Sequence, residues 1–194
     1  TPPAVASRRP SSPGSQTPFR FGSVQAYRFH HTLGFGFEDN PVPGFHHVDN
    51  AMAALAAARA AGVDAREAVA GLSGVRLPPG RGALLESGGL TLIDDTYNAN
   101  PDSLGRAVAF AAWLAARRRR PLAVVVGTML ELGPESARLH AEGAREIAGR
   151  KPVLVAAVGE FVPVFAALGV RVVTAPDADA LGPKLRAALR GNEI

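Results

Sequence analysis

The 194 residues contain no cysteine. That excludes a disulfide framework, a thiolate metal site and a cysteine nucleophile together, and it agrees with a reducing, cytoplasmic setting. Lysine is nearly missing too. Lys151 and Lys184 stand alone, and arginine carries almost all the positive charge behind a net +4. With abundant alanine, glycine and proline, this composition suits a GC-rich coding sequence better than a nucleic-acid binder. The single basic run, Arg117–Arg120, has no aromatic residues interleaved, as a single-strand binding surface would want. Between a helix and a strand, it reads as a solvated cap on the helix dipole. No apolar run approaches a membrane span, and no secretory pattern opens the chain. Neither nucleic acid nor membrane is expected as a partner, and a monomer is expected.

Several catalytic signatures are also missing. There is no phosphate loop, because Lys151 follows Arg150 and Lys184 follows Pro183 rather than a glycine-rich turn. There is no glycine-rich dinucleotide fingerprint after a strand, no serine elbow and no paired-histidine zinc helix. The histidines are His30, His31, His46, His47 and His140. His46 and His47 are adjacent, so on a helix they point apart and do not share one metal. No metal ligand set is expected.

What is present is concentrated in residues 92–104, Leu-Ile-Asp-Asp-Thr-Tyr-Asn-Ala-Asn-Pro-Asp-Ser-Leu. A short apolar strand (Leu90, Leu92, Ile93) runs into two adjacent carboxylates, Asp94 and Asp95. In open α/β sheets, ligands bind just past the carboxyl ends of strands. The carboxylates can accept from ribose hydroxyls or hold a cation, Asn98 and Asn100 can donate and accept, and Tyr97 offers a flat face to a base. The plainer reading makes Asn100 a helix N-cap with Pro101 at the first helical position. It accounts for Asn100–Ser103 but not for two carboxylates side by side at a strand end. Arg81, after Pro-Pro-Gly, could reach a phosphate in bidentate fashion, or be a surface arginine in a turn. Gly127–Gly133 follows another strand at the same kind of edge; its plainer reading is a loop in which Gly133-Pro134 starts a helix.

Along the chain, residues 1–18 are rich in Pro, Ser and Thr and are expected to be disordered. Residues 19–45 alternate weakly, suggesting one or two strands and a hairpin near Gly34–Gly36. Helices are expected at 46–61, with Gly62 as C-terminal cap, and from Asp64 to Leu72. Pro78–Arg81 reads as a hinge. Residues 83–86 and 90–94 around Ser87-Gly88-Gly89 predict a β-hairpin. Helices at 102–116, 135–149, 160–168 and 177–190 then alternate with strands at 122–126, 153–158 and 170–174. The pattern predicts an α/β fold with a Rossmann-like, mostly parallel sheet and flanking helices.

These residues resemble the C-terminal part of a Mur ligase. The strings that carry the likeness are Pro41-Val-Pro-Gly-Phe-His-His-Val-Asp-Asn-Ala51, Pro79-Gly-Arg81, Leu92-Ile-Asp-Asp-Thr-Tyr-Asn-Ala-Asn-Pro-Asp-Ser103 and Val126-Gly-Thr-Met-Leu-Glu-Leu-Gly-Pro-Glu135. The third is specific to the branch that adds D-alanyl-D-alanine to UDP-N-acetylmuramoyl-tripeptide in peptidoglycan synthesis. The resemblance implies an ATP- and Mg2+-dependent ligase working through an acyl phosphate, with ATP, the UDP-linked tripeptide and D-alanyl-D-alanine as partners. It implies that His46 and Asn50 contact the adenine end of ATP. Arg81 then meets the nucleotide across a domain junction, Asp95 binds ribose, and Tyr97, Asn98 and Asn100 line the same loop. Thr128 and Glu131 fall on the substrate-side loop.

The departures are His47 where the family has Asn, and Thr128 where it has Asp. By the same resemblance, residues 19–79 are the end of a central ATP-binding domain and 80–194 a C-terminal domain truncated before its last strand. The chain is expected to be a fragment or a truncated product, inactive alone and without catalytic residues of its own. Two alternatives remain: a related ligase of the folylpolyglutamate synthetase type, or a non-catalytic nucleotide-binding or assembly domain.

Overall fold

The computed structural model describes residues 45–194. The expected disorder of 1–18, the strands and hairpin of 19–45, and the side chain of His46 lie outside the described residues. Helix α1 covers Phe45–Ala60 and helix α2 covers Ala65–Leu72. Asp64 caps α2, its carboxylate accepting from the Arg66 and Glu67 backbone N–H groups. Gly62, at φ +87°, turns the chain between them.

Strands β1 (Ala83–Ser87) and β2 (Leu90–Asp94) pair antiparallel, with Leu85 opposite Leu92 and Leu84 opposite Ile93. Gly88 and Gly89 both have positive φ, the backbone a two-residue hairpin turn requires. Helix α3 (Pro101–Arg118) follows. Strand β3 (Ala123–Val126), a short 3-10 turn at Gly133–Glu135, α4 (Ser136–Gly149), β4 (Leu154–Ala157), α5 (Phe161–Ala167), β5 (Val172–Thr174) and α6 (Ala178–Ala188) complete the order. The β3, β4 and β5 strands form one parallel sheet in sequence order. The predicted α/β class stands, and each element lies within a few residues of its expected span.

One detail differs. The β1–β2 hairpin forms its own two-stranded ladder instead of joining the parallel sheet. A tight turn forces antiparallel pairing of β1 and β2. Between β2 and β3 run Glu193 and Ile194: Thr91 N–H donates to Glu193 O, Ala123 N–H to Ile194 O, and Ile194 N–H to Pro121 O. Past Ile194, a cavity of about 470 Å3 opens between Leu92, Ile93, Val124 and Val126, floored by Leu104 and Val108 of α3.

The core lies between the parallel sheet and its helices. Val124, Val126, Val155 and Ala157 meet Val108, Phe110 and Leu114 of α3, Ala144 and Ile147 of α4, and Phe161 and Phe165 of α5. On α3, Val108 and Ala115, seven residues apart, share one side of the helix, and Phe110 and Leu114, four apart, share the opposite side, so the helix is buried on two sides.

The arginine run ends α3 as expected, with Arg117–Arg119 exposed, but it does more than cap the helix. Arg119 ends α3 in the left-handed region, and its neighbours reach across to the hairpin. Arg118 donates to Glu86 at 2.8 Å and to Thr91 Oγ1 at 2.9 Å. Arg120 donates to Thr91 Oγ1, Asn192 O, Glu193 O and Gly89 O. Thr91, 1% exposed, accepts both guanidinium groups and donates to Glu86. A five-donor fork suits several acceptors at once, so these two arginines stitch the hairpin, α3 and residues 192–193 together.

Two carboxylates here carry a pH consequence. The hydrogen bond from Arg118 leads the effects that hold Glu86 below the usual glutamate range, with Thr91 adding to it. At Glu193, burial pushes the carboxyl up, but the backbone N–H groups of Arg190, Gly191 and Asn192 outweigh it and the net shift is downward. A group depressed in the folded state contributes stability above its unfolded pKa, about 4.3 for glutamate. That contribution is lost as the pH falls through the lower folded value. The urea midpoint should therefore drop on acidification below about pH 4, and less so in Glu86→Gln. Equal acid sensitivity in the variant would show that Glu86 is not one of the groups responsible.

Candidate functional site

The site is built by one turn folding onto one loop. Gly80 sits at φ +74°, and a Cβ there would lie 2.8 Å from Tyr97 N. Only glycine fits both the backbone and the approach. Gly80 O accepts from Tyr97 N–H at 3.0 Å, and Gly82 N–H donates to Asp94 O at 2.7 Å. Asp94 closes the joint: its carboxylate accepts from Gly80 N–H at 3.2 Å and from the Thr96 hydroxyl at 2.7 Å. The adjacent carboxylates thus divide their tasks. Asp94 holds the Pro-Gly-Arg turn, while Asp95, half-buried, lines the cavity beside β2.

The docked turn places Arg81 over Tyr97, its guanidinium carbon 3.9 Å from the ring centroid. Tyr97 is 68% exposed, so the pair is a planar cation on an aromatic face open to solvent. One face of the ring predicted to meet a base is taken by Arg81. His47 reaches the same turn from α1, Nε2 to Arg81 O at 3.2 Å. His47, one of the two departures from the family pattern, thus touches the hinge. Asn50 is exposed on α1. Its neighbour Asp49 bonds Arg106 at 2.8 Å, and Arg106 also holds Asp102 at 3.0 Å. The hydrogen bond to Asp49 leads the effects that raise the Arg106 pKa, and the ion pair ties α1 to α3.

Asn100 follows the plainer reading. Asn100 Oδ1 accepts from Ser103 N–H at 2.9 Å, and Ser103 Oγ accepts from Asn100 N–H at 3.0 Å, a reciprocal cap on α3. Asn98 Oδ1 accepts from Ala99 N–H at 2.8 Å, and the side chain is exposed. On the other loop, Thr128 Oγ1 accepts from Glu160 N–H at 3.0 Å, and Glu131 stands exposed at φ +62°. The structure brings Arg81, Asp95, Tyr97 and Asn98 into one neighbourhood. Asn100 is placed there as scaffold, and Thr128 and Glu131 lie on a separate loop after β3.

Sequence reasoning missed Asp94 as scaffold, Thr96, Asp49 and His140. The last is wholly buried, and its Nε2 accepts from Met129 N–H. Serine four residues ahead of a histidine on an apolar helix face was the only local signal for it.

The α/β unit, with its candidate site on loops past strand ends, defines a domain of Rossmann-like type. Residues 80–190 match the profile of the Mur ligase, glutamate ligase domain, and the chain belongs to the Mur ligase family. Curated relatives include the UDP-N-acetylmuramoyl-tripeptide–D-alanyl-D-alanine ligases of Bacillus subtilis and Escherichia coli. The first is 39% identical over 103 residues, 53% of this chain and 22% of the relative. The second is 37% identical over 103 residues, with the same coverage. Among solved structures, a MurF from Acinetobacter baumannii superposes with a TM-score of 0.65 at 32% identity, covering 76% of this chain and 32% of that one. Thermotoga maritima MurF in complex with ADP shares the fold, with a TM-score of 0.54 at 23% identity over 72% and 31% of the two chains. The chain thus spans about a fifth of the length of the curated relatives it matches.

Proposed function

We propose that this chain is the C-terminal part of an ATP-dependent ligase that joins D-alanyl-D-alanine to UDP-N-acetylmuramoyl-tripeptide in peptidoglycan synthesis. Residues 19–79 then end the central domain and residues 80–194 form the C-terminal one. The observation that carries the reading is the Gly80–Arg81 turn locked by Asp94 against the Tyr97 loop, with His47 of α1 on the same turn. Helix, hinge and loop meet where a nucleotide shared between two domains would lie. Helix α1 buries Val48 and leaves most of its alanines exposed, which suits a helix belonging to a larger domain.

In this reading Asp95 accepts from ribose hydroxyls, Arg81 meets phosphate, and Tyr97 presents its open face to the nucleotide. Asn50 and His46 belong to the adenine end, and Asn98 lines the loop. ATP phosphorylates the tripeptide carboxylate, the amine of D-alanyl-D-alanine attacks the acyl carbon, and inorganic phosphate leaves as the amide forms. The Thr128–Glu131 loop faces the amino substrate. Among the described residues no group of three or more histidines, aspartates or glutamates is placed to hold a metal, so Mg2+ is assigned to none of them. Among the described residues no helix is long and apolar enough to cross a membrane. A cytoplasmic monomer without nucleic-acid partners fits the substrates.

The test uses the chain itself. ATP titrated into 15N-labelled protein should shift the amides of Arg81, Asp95 and Tyr97. Phosphate release with Mg2+ and D-alanyl-D-alanine should stay at background, because no phosphate loop in the sequence cradles the β and γ phosphates. Shifts confined to other residues would reject the assignment, and sustained phosphate release would reject the claim that the chain is inactive alone.

A further inference from the structure

We infer that His140 is a positioning residue that sets the backbone of the Gly127–Leu132 loop; its link to catalysis rests on the reading of that loop as facing the amino substrate. His140 is 0% exposed and lies on α4, its ring edge-on to Phe161 at 4.7 Å between centroids. Met129 N–H donates to His140 Nε2 at 2.9 Å. A backbone N–H can only donate, so Nε2 carries a lone pair and the ring proton sits on Nδ1. That proton has an acceptor in Ser136 O at 2.8 Å. Ser136 Oγ lies 3.2 Å from Nδ1 and donates to Glu160 Oε2, itself 3.4 Å from Nδ1.

The loop is therefore gripped at two consecutive residues. Thr128 Oγ1 takes the Glu160 N–H, and the Met129 N–H is taken by His140. Met129 is 2% exposed, whereas Leu130, next to it, is 67% exposed. Glu131 then stands at φ +62°, a backbone region that side-chain-bearing residues rarely occupy. A buried anchor followed directly by an exposed leucine and a strained glutamate is a loop whose tip is dictated by the anchor. Packing alone would not need an imidazole there. The acceptor at Nε2 and the donor at Nδ1 are both used, and no apolar side chain supplies either.

The spectroscopic test needs no variant. A long-range 1H–15N spectrum should show His140 with Nε2 unprotonated and Nδ1 protonated, and a through-hydrogen-bond coupling from Nε2 to the Met129 amide. A protonated Nε2, or no coupling, overturns the clamp whatever the enzyme makes. The variants separate anchoring from filling. His140→Leu should speed amide exchange at Met129 and Leu130 about tenfold, the order expected for one lost hydrogen bond. His140→Gln, whose amide oxygen can accept near the Nε2 position, should recover most of the protection, with Ala156 in β4 unchanged in both. Equal exchange in the two variants overturns the inference. In an intact ligase carrying this domain, His140→Leu should raise the KM for the amino substrate several-fold and leave that for ATP unchanged, and His140→Gln should restore it. With the clamp confirmed and amide formation observed, an unchanged KM overturns the substrate-facing role. With the clamp confirmed but no amide formed by the intact wild-type enzyme, the proposed function fails instead.

Discussion

Truncating Phe161 to alanine is expected to cost about 3–5 kcal/mol of stability, the range for a wholly buried phenylalanine whose site cannot collapse. The ring is 0% exposed. It packs edge-on to His140 at 4.7 Å and against Phe165 at 5.8 Å. On its other side is Gly143 of α4, where even a Cβ would approach within 3.5 Å of the ring. Helices α4 and α5 thus share one aromatic contact. Urea unfolding followed by circular dichroism checks this, with Leu130→Ala, at an exposed position, as a comparison expected within about 0.5 kcal/mol of wild type. A loss below about 1 kcal/mol for Phe161→Ala would mean that the core repacks freely around the gap.

Arg81→Ala is expected to lower kcat/KM for ATP by about ten- to a hundredfold in an intact ligase carrying this domain, as removal of a charge-assisted contact does. Asp95→Ala should act in the same direction, with the smaller effect on turnover, because ribose carries no charge that develops during phosphoryl transfer. Arg81→Lys should not restore activity. An ammonium neither stacks on Tyr97 as a plane nor offers two parallel donors. Melting temperatures should change little, because the Arg81–Tyr97 pair is exposed and such pairs contribute about 0.5–1 kcal/mol. Wild-type kinetics in both alanine variants would remove these residues from the nucleotide site.

Local chemistry is where the sequence was most informative. Asp64 ahead of α2, Asn100-Pro101 ahead of α3 and Ser87-Gly88-Gly89 between β1 and β2 each act over a few residues, and the structure uses all three as expected. The alternation of apolar strands with amphipathic helices carried the fold class in the same way. What was not legible depends on residues far apart in the chain. Arg120 binds Asn192 and Glu193, more than seventy positions away, and no periodicity encodes such a bond. The pairing of Asp49 with Arg106 is of the same kind. In the candidate site, the sequence pointed to two carboxylates but could not divide them. The division arises because Gly80, fourteen residues earlier, folds back onto Asp94. For Asn100 the capping role was legible in the local sequence and the structure shows it, while its place in the nucleotide loop is what the resemblance implies.

The joint between the helical pair and the α/β unit has a further meaning. Two of its polar ties are the Asp49–Arg106 ion pair, with both side chains more than 40% exposed, and the His47–Arg81 bond on the Pro-Gly-Arg turn. An exposed pair contributes roughly 0–1 kcal/mol, and a single hydrogen bond about the same. Together they reach at most about 2 kcal/mol, a few times thermal energy, so these two ties bias the angle between the units without by themselves fixing it. A ligand touching both sides of the turn needs only a few kcal/mol of differential binding to reset that angle. These two polar ties are therefore small weights in that balance.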